Sequence, residues 1–176
     1  MKQLRLSGTG GQGLILAGII LAEAALIDGK LAIQSQSYGP EARGGSSKSE
    51  VIISEQAIHF PKVTAPNVVL AMSQEACKKY TTDTTAETIL ITDTMMVKEL
   101  PKAAYKAAYE LPISYAAKES LGKILFANIV ALGAIVKITG VVSVESLTKA
   151  VLARVPKGTE EINQKAIQLG MDLVKG

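Results

Sequence analysis

One cysteine and one histidine occur in 176 residues, and both shortages exclude chemistry. With Cys77 alone, the chain cannot form an internal disulfide or a cysteine zinc site, and it cannot hold an iron–sulfur cluster that needs about four thiolates. Any redox metal that works with this chain belongs to another chain. His59, in AIHFPKV, has no neighbouring nucleophile or second metal ligand and reads as a structural or surface residue. Cys77 reads as a small buried hydrophobe rather than a nucleophile.

No stripe of one charge is present either. Nineteen basic and sixteen acidic residues leave a net charge of +3, and the basic ones are scattered singly or in pairs such as Lys78 and Lys79. Nucleic-acid binding gains no support from that pattern, and Tyr105, Tyr109 and Tyr115 are too dispersed to stack bases. The longest apolar run, Ile124 to Val136, is interrupted by Asn128 and falls short of the roughly 20 residues of a membrane span. The opening MKQLRLSGTGGQG lacks the continuous apolar core of a secretory signal. The expectation is a cytoplasmic protein with no membrane partner.

What is present is the composition of a folded domain: 48% apolar and 20% charged residues. The length suits one domain over residues 1–176. The slightly positive mean hydropathy, +0.25, points to some partner-facing apolar surface.

Leu4 and Leu6 alternate with polar residues and lead into glycine, as a short strand entering a tight turn does. A helix follows from Leu14 to Ile27, apolar on all faces, and Asp28 and Gly29 stop it. Strands are expected at Leu31 to Gln36 and Glu50 to Ser54, with a long loop from Tyr38 to Ser47 between them. Two short apolar runs, Val68 to Ala71 and Thr88 to Thr92, read as buried parallel strands. Ser73 caps a helix running to Tyr80. Leu111 to Tyr115 is the candidate last strand. The strongest helical periodicity, Ser120 to Ile138, carries Ala127, Ala131, Gly133 and Ala134 and ends at Gly140. Those small residues make it either central or part of a subunit interface, a homodimer included. Two further helices begin near Ser143 and Thr159. The order predicts an α/β fold, Rossmann-like, with a mostly parallel sheet flanked by helices in a single domain.

Gly8, Thr9, Gly10, Gly11, Gln12 and Gly13 satisfy G-x-G-x-x-G between a strand and a helix, the context of a dinucleotide fingerprint. Such glycines permit a tight turn, let an anion approach the backbone and leave helix amides free. A nicotinamide site also needs an acid about twenty residues on, to hold the ribose hydroxyls. The corresponding stretch, Ile33 to Gln36, has none. A plain tight turn without ligand remains open, as does a nucleotide cradle.

A second cluster runs Tyr38, Gly39, Pro40, Glu41, Ala42, Arg43, Gly44, Gly45, Ser46, Ser47. Arg43 suits bidentate binding of a phosphate or carboxylate, and paired glycines let a ligand or partner lie against the backbone. The alternative is a surface turn with Glu41 and Arg43 solvated.

GTGGQG and SYGPEARGG together resemble the gamma subunit, or gamma domain, of the 2-oxoacid:ferredoxin (or acceptor) oxidoreductases, closest to the 2-oxoglutarate branch. The resemblance continues through VIIS at Val51 to Ser54, Pro61, the strand before Met72 and Ser73, and FANIVALGA at Phe126 to Ala134. It implies a multi-subunit enzyme that decarboxylates a 2-oxoacid on thiamine diphosphate with Mg, passes electrons through iron–sulfur clusters to ferredoxin and releases acyl-coenzyme A. This chain has no GDG thiamine signature and no catalytic pair. It is therefore expected to bind no cofactor alone and to work with alpha, beta and ferredoxin-like delta subunits. By motif, the resemblance makes Gly10, Gly11, Gln12 and Gly13 an anion-receptive turn. It sets Tyr38, Gly39, Pro40, Glu41, Arg43, Gly44, Gly45 and Ser46 along a cleft shared with the coenzyme A site. Gln12 and Arg43 are the expected polar contacts. A stand-alone nucleotide-binding protein and a pure assembly module are the competing readings.

Overall fold

The alternation at Leu4 and Leu6 forms an eight-residue strand, β1 (Lys2–Thr9), in the computed structural model, which describes residues 1–38 and 45–175. After it come α1 (Leu14–Ile27), β2 (Leu31–Tyr38), β3 (Ser46–Ser54), β4 (Val68–Ala71), α2 (Gln74–Tyr80), β5 (Ile89–Asp93) and β6 (Ala107–Leu111). The chain continues through α3 (Ile113–Leu121), a 3-10 turn at Ile124–Phe126, α4 (Ala127–Thr139), α5 (Val144–Arg154) and α6 (Glu160–Asp172).

The strands form one sheet in the order β2-β3-β1-β4-β5-β6. β1, β4, β5 and β6 are parallel, whereas β3 runs antiparallel to both of its neighbours. The α/β, mostly parallel, helix-flanked fold read from the sequence is the fold observed. β2 nevertheless does not pair with β1, because β3 is inserted between them.

Register sorts the side chains by face. Leu4 and Leu6 pair with Val51 and Ser49 on one side and Val68 and Leu70 on the other, and this face meets α1. The main core forms there, joining these leucines and valines to Leu21, Ile91, Ile113, Leu132 and Ile135. Each fully buried leucine or isoleucine stabilises the fold by about 1.5–3 kcal/mol. Within the same core, α4 and α6 cross closely. A Cβ on Gly133 would strike the Ile167 carbonyl, and one on Gly170 would strike the Val130 carbonyl and lie 2.9 Å from Ala134 N. The small residues of α4 therefore serve an internal helix crossing; ten of its residues are buried within this chain.

The opposite face is thinner and carries charge. Arg5, 4% exposed, donates from Nε to Glu50 at 2.7 Å, and its two terminal nitrogens fork onto Asp83, one of them at 2.8 Å. The same guanidinium donates to the Tyr80 carbonyl at 3.0 Å, and Lys48 reaches Glu50 at 3.0 Å. Burial disfavours the Arg5 charge, but hydrogen bonds to Asp83 and Glu50 outweigh that and hold its pKa above the ordinary value. A buried charge of this kind tolerates no missing partner. It ties β1, β3 and the end of α2 together.

Three sequence expectations need correction. The loop expected from Tyr38 to Ser47 is shorter, since Tyr38 pairs with Ser47 and Ser46 with Thr9 as strand residues. These strand ends are rich in serine and glutamine, and backbone pairing holds them without an apolar pattern. Leu111 to Tyr115 is not a strand: β6 ends at Leu111 and Pro112 opens α3, where its missing N–H costs nothing. The helix expected from Ser120 is broken at Gly122, which has φ +76°, so α4 starts only at Ala127 and Leu125 is left 67% exposed.

Two consequences are measurable. Gly170→Ala should destabilise the chain by about 1–3 kcal/mol in urea unfolding, because the new methyl meets backbone that cannot rotate away. The hydrogen bond from Arg5 holds the Asp83 carboxyl below the ordinary aspartate range. Its contribution is fully present above that range and is lost as pH falls through the depressed folded value. Melting temperatures followed below about pH 4 should therefore fall in the native chain and fall less steeply in Asp83→Asn.

Candidate functional site

The glycine loop and the second cluster meet at one corner of the sheet. β1 and β3 end and begin side by side, with Thr9 opposite Ser46 and Gly8 opposite Ser47. Gly10 N donates to the Gly45 carbonyl at 3.2 Å, joining the two loops directly. Tyr80, at the end of α2, donates its hydroxyl to the Ser46 carbonyl at 3.2 Å, so the buried Arg5 cluster also fixes where β3 begins. Of the expected site residues, Gly10, Gly11, Gln12, Gly13, Gly45 and Ser46 come together here, with the Tyr38 backbone at the end of β2. Gly39, Pro40, Glu41, Arg43 and Gly44 lie outside the described residues.

The glycines differ in why they are glycine. A Cβ on Gly8 would strike the Gln12 side-chain oxygen and reach Leu14 and Met72. Gly11 and Gly13 have φ of +89° and +73°, a left-handed region that other residues adopt at a cost. A Cβ on Gly13 would also come 2.6 Å from Asn128 Nδ2. Gly10 has neither reason: its φ is not left-handed, and the nearest atom to an added Cβ is the Gly45 carbonyl oxygen at 3.9 Å. Among the described residues, nothing requires glycine at position 10.

Gln12 occupies the place where an open α/β sheet usually takes a ligand. α1 follows β1 onto one face and α2 follows β4 onto the other, so the crevice between the two strand ends is a switch point. Gln12 Oε1 accepts from Thr9 N at 2.7 Å, and its Nε2 donates to the Met72 carbonyl at 2.9 Å. The side chain expected to contact a ligand thus braces the loop across the crevice. The strand beside β1 on the other flank is the antiparallel β3, which also departs from the arrangement that brings a ribose-binding acid to a dinucleotide.

Anion-receptive groups remain at the start of α1. The helix has no side-chain cap and no acid in its first turn, so the amides of Leu14, Ile15 and Leu16 lack an intrahelical acceptor at the positive end of the dipole. Asn128 Nδ2 donates to the Gly13 carbonyl at 3.2 Å and pins this turn to α4. In the sequence Asn128 is the one polar residue of the apolar run from Ile124 to Val136, within FANIVALGA; a lone amide in such a run is the signal that it has a partner. Tyr80 had drawn attention only as a helix end. Cys77 is fully buried and burial raises its thiol pKa, in keeping with an inert packing residue. His59 is exposed.

A groove of about 610 Å³ lies at the opposite end of the sheet, lined by Lys2, Lys30, Glu55 and Gly140, and another of about 560 Å³ lies beside Lys78 and Pro101. The glycine loop lines neither. Among the described residues no group of three or more His, Cys, Asp or Glu is placed to hold a metal, and no helix is long and apolar enough to cross a membrane.

Comparison with known proteins agrees with this arrangement. Residues 3–173 match the pyruvate ferredoxin/flavodoxin oxidoreductase family. The chain is 48% identical over 177 residues to 2-oxoglutarate synthase subunit KorC of Methanocaldococcus jannaschii, covering 99% of this chain and 94% of that protein. The crystal structure of a keto/oxoacid ferredoxin oxidoreductase gamma subunit from Geobacter sulfurreducens superposes with a TM-score of 0.84 at 52% identity, over 98% of this chain and 97% of that one. A 2-oxoglutarate:ferredoxin oxidoreductase from Magnetococcus marinus, solved with 2-oxoglutarate, coenzyme A and succinyl-CoA bound, shares the fold at a TM-score of 0.82 and 24% identity. There the match covers 98% of this chain and 30% of that longer one. The chain belongs to the pyruvate ferredoxin/flavodoxin oxidoreductase family.

Proposed function

We propose that this chain is the gamma subunit of a 2-oxoglutarate:ferredoxin oxidoreductase and that its glycine-loop corner forms one wall of the coenzyme A site. The reaction oxidatively decarboxylates 2-oxoglutarate, transfers the acyl group to coenzyme A and reduces ferredoxin. The relatives named for 2-oxoglutarate synthase support the substrate. Gly10 carries the placement, since no described residue accounts for a glycine there and the space beside it is open to a ligand or partner.

The chain's own residues do not fit the redox cofactors. One buried cysteine cannot ligate an iron–sulfur cluster, so clusters, thiamine diphosphate and Mg are assigned to alpha, beta and ferredoxin-like delta partners. What this chain does fit is an anion. The uncapped start of α1 beside Gly10 and Gly13 offers amides to a phosphate, and Arg43, which lies outside the described residues, is the side chain of the second motif suited to supply the charge. Gln12 contributes indirectly, by holding the loop in shape. The setting is the cytoplasm, where ferredoxin and coenzyme A are available.

Turnover of 2-oxoglutarate with coenzyme A and a low-potential acceptor should appear only when the chain is combined with its partner subunits. In that assembly, Gly10→Ala and Arg43→Ala should raise the apparent KM for coenzyme A several-fold, while the unfolding free energy of the isolated Gly10→Ala chain stays within about 0.5 kcal/mol of native. Unchanged KM values with a weakened assembly would favour a pure assembly module. Full turnover by the isolated chain would refute the subunit reading.

A further inference from the structure

The two edges of the sheet are built differently. β6 is short, spans Ala107–Leu111, carries Glu110 and is preceded by Lys106, the usual protection of a free edge. β2 spans eight residues, LAIQSQSY, with no charge, proline or glycine. It pairs in continuous register with β3 from Leu31 to Tyr38, without a bulge, and no described strand pairs with its other side. A long, flat, uncharged edge of this kind is a template for another strand.

The helix above this edge has the matching property. Gly18 of α1 lies against Ser49 and Val51 of β3, and Leu14, Ala17, Leu21 and Ala24 turn into the core. Another stripe of the helix carries Ile15, Ile19 and Leu26 at spacings of four and seven around the buried Ala22; Ile15 and Ile19 are half-buried and Leu26 is 56% exposed. Leu31, where β2 begins, is 47% exposed. A helix apolar all round is ordinarily covered all round. This one is left partly open at Ile15, Ile19 and Leu26, as it is at Leu16 and Ile27.

We infer that the free edge of β2 and the adjoining flank of α1 form one surface that pairs with a second copy of this chain, β2 running antiparallel to its counterpart about a two-fold axis. Three features select a second copy over another occupant. An antiparallel pair of identical strands closes on itself, as a two-fold interface must. The strand and its flanking stripe carry no charge, so no like charges meet across the axis. A strand contributed alone would cover the edge yet leave Leu26 in water, whereas a symmetric copy brings its own α1 over the same face. The size also suffices. Eight residues extend about 26 Å, and a strand with its overlying helix is about 20 Å deep, giving roughly 500 Å² per copy and about 1,000 Å² in total, the lower bound for a stable interface.

Sedimentation equilibrium of the full chain tests the pairing. The expected mass is twice the 18.5 kDa of one chain, falling to one chain in the double variant Leu26→Lys with Gln36→Lys, with an unchanged melting temperature showing that the variant still folds. Because Cys77 is buried, single cysteines introduced as Gln34→Cys, Ser35→Cys or Gln36→Cys report the interface cleanly. Mild oxidation should give a covalent dimer at the position nearest the axis, where facing Cβ atoms lie about 4.5–5.5 Å apart. The inference is overturned by a monomer with no cross-link at any of the three positions, or by a dimer that survives the lysine variant. Cross-linking of these cysteines to a different subunit in the assembled enzyme, and not to each other, also overturns it.

Discussion

β3 runs back between β1 and β2, and the rest of the architecture follows from that insertion. Because the strand is antiparallel, its first residues lie beside the last residues of β1, which sets Ser46 opposite Thr9 and lets Gly10 bond to Gly45. Two segments more than thirty residues apart in sequence become one corner. The same insertion pushes β2 outward to the sheet edge and opens a position beside β1 that a dinucleotide fold fills differently.

The insertion is held by charge as well as by backbone. Arg5 and Glu50 are cross-strand partners in the β1–β3 register, and Asp83 reaches them from just beyond α2. In a face of the sheet otherwise covered mainly by one short helix, this cluster supplies specificity that apolar contacts do not. A shift of β3 by one residue would turn Glu50 to the other face and leave a buried guanidinium short of a partner, a loss that disfavours alternative registers strongly. The start of β3, and with it the corner, is fixed through Tyr80 on Ser46.

Much of this was legible in the sequence where local chemistry decides structure. α1 begins and ends where Gly13 and Asp28 indicate, β4 coincides with its apolar run, and Ser73 caps α2 through Ala76 N. Legibility failed where tertiary pairing overrides local pattern. The polar ends of β2 and β3 read as loop because they carry no apolar pattern, although both are paired as strands and Ser46, Ser47 and Ser49 are buried. β6 is half polar because it is an edge, and Gly122 breaks a helical periodicity that continues on either side of it. At the corner, the two motifs were visible but their joining was not. The bond from Asn128 to Gly13 spans 115 residues, and no spacing rule within one sequence links them.

The glycines of the loop separate structure from function more sharply than the motif does. Gly8 is fixed by Gln12, Leu14 and Met72, Gly11 by its backbone angle, and Gly13 by its angle together with Asn128. Those three would be required even if nothing ever touched the loop, so the pattern G-x-G-x-x-G carries less information about a ligand than its resemblance to a fingerprint suggests. Gln12 strengthens the point, since it fills the crevice that a bound pyrophosphate would need. Only at Gly10 do the described residues leave open space without a reason of their own. Of the four glycines in the loop, one is therefore left for a contact beyond the described residues to explain.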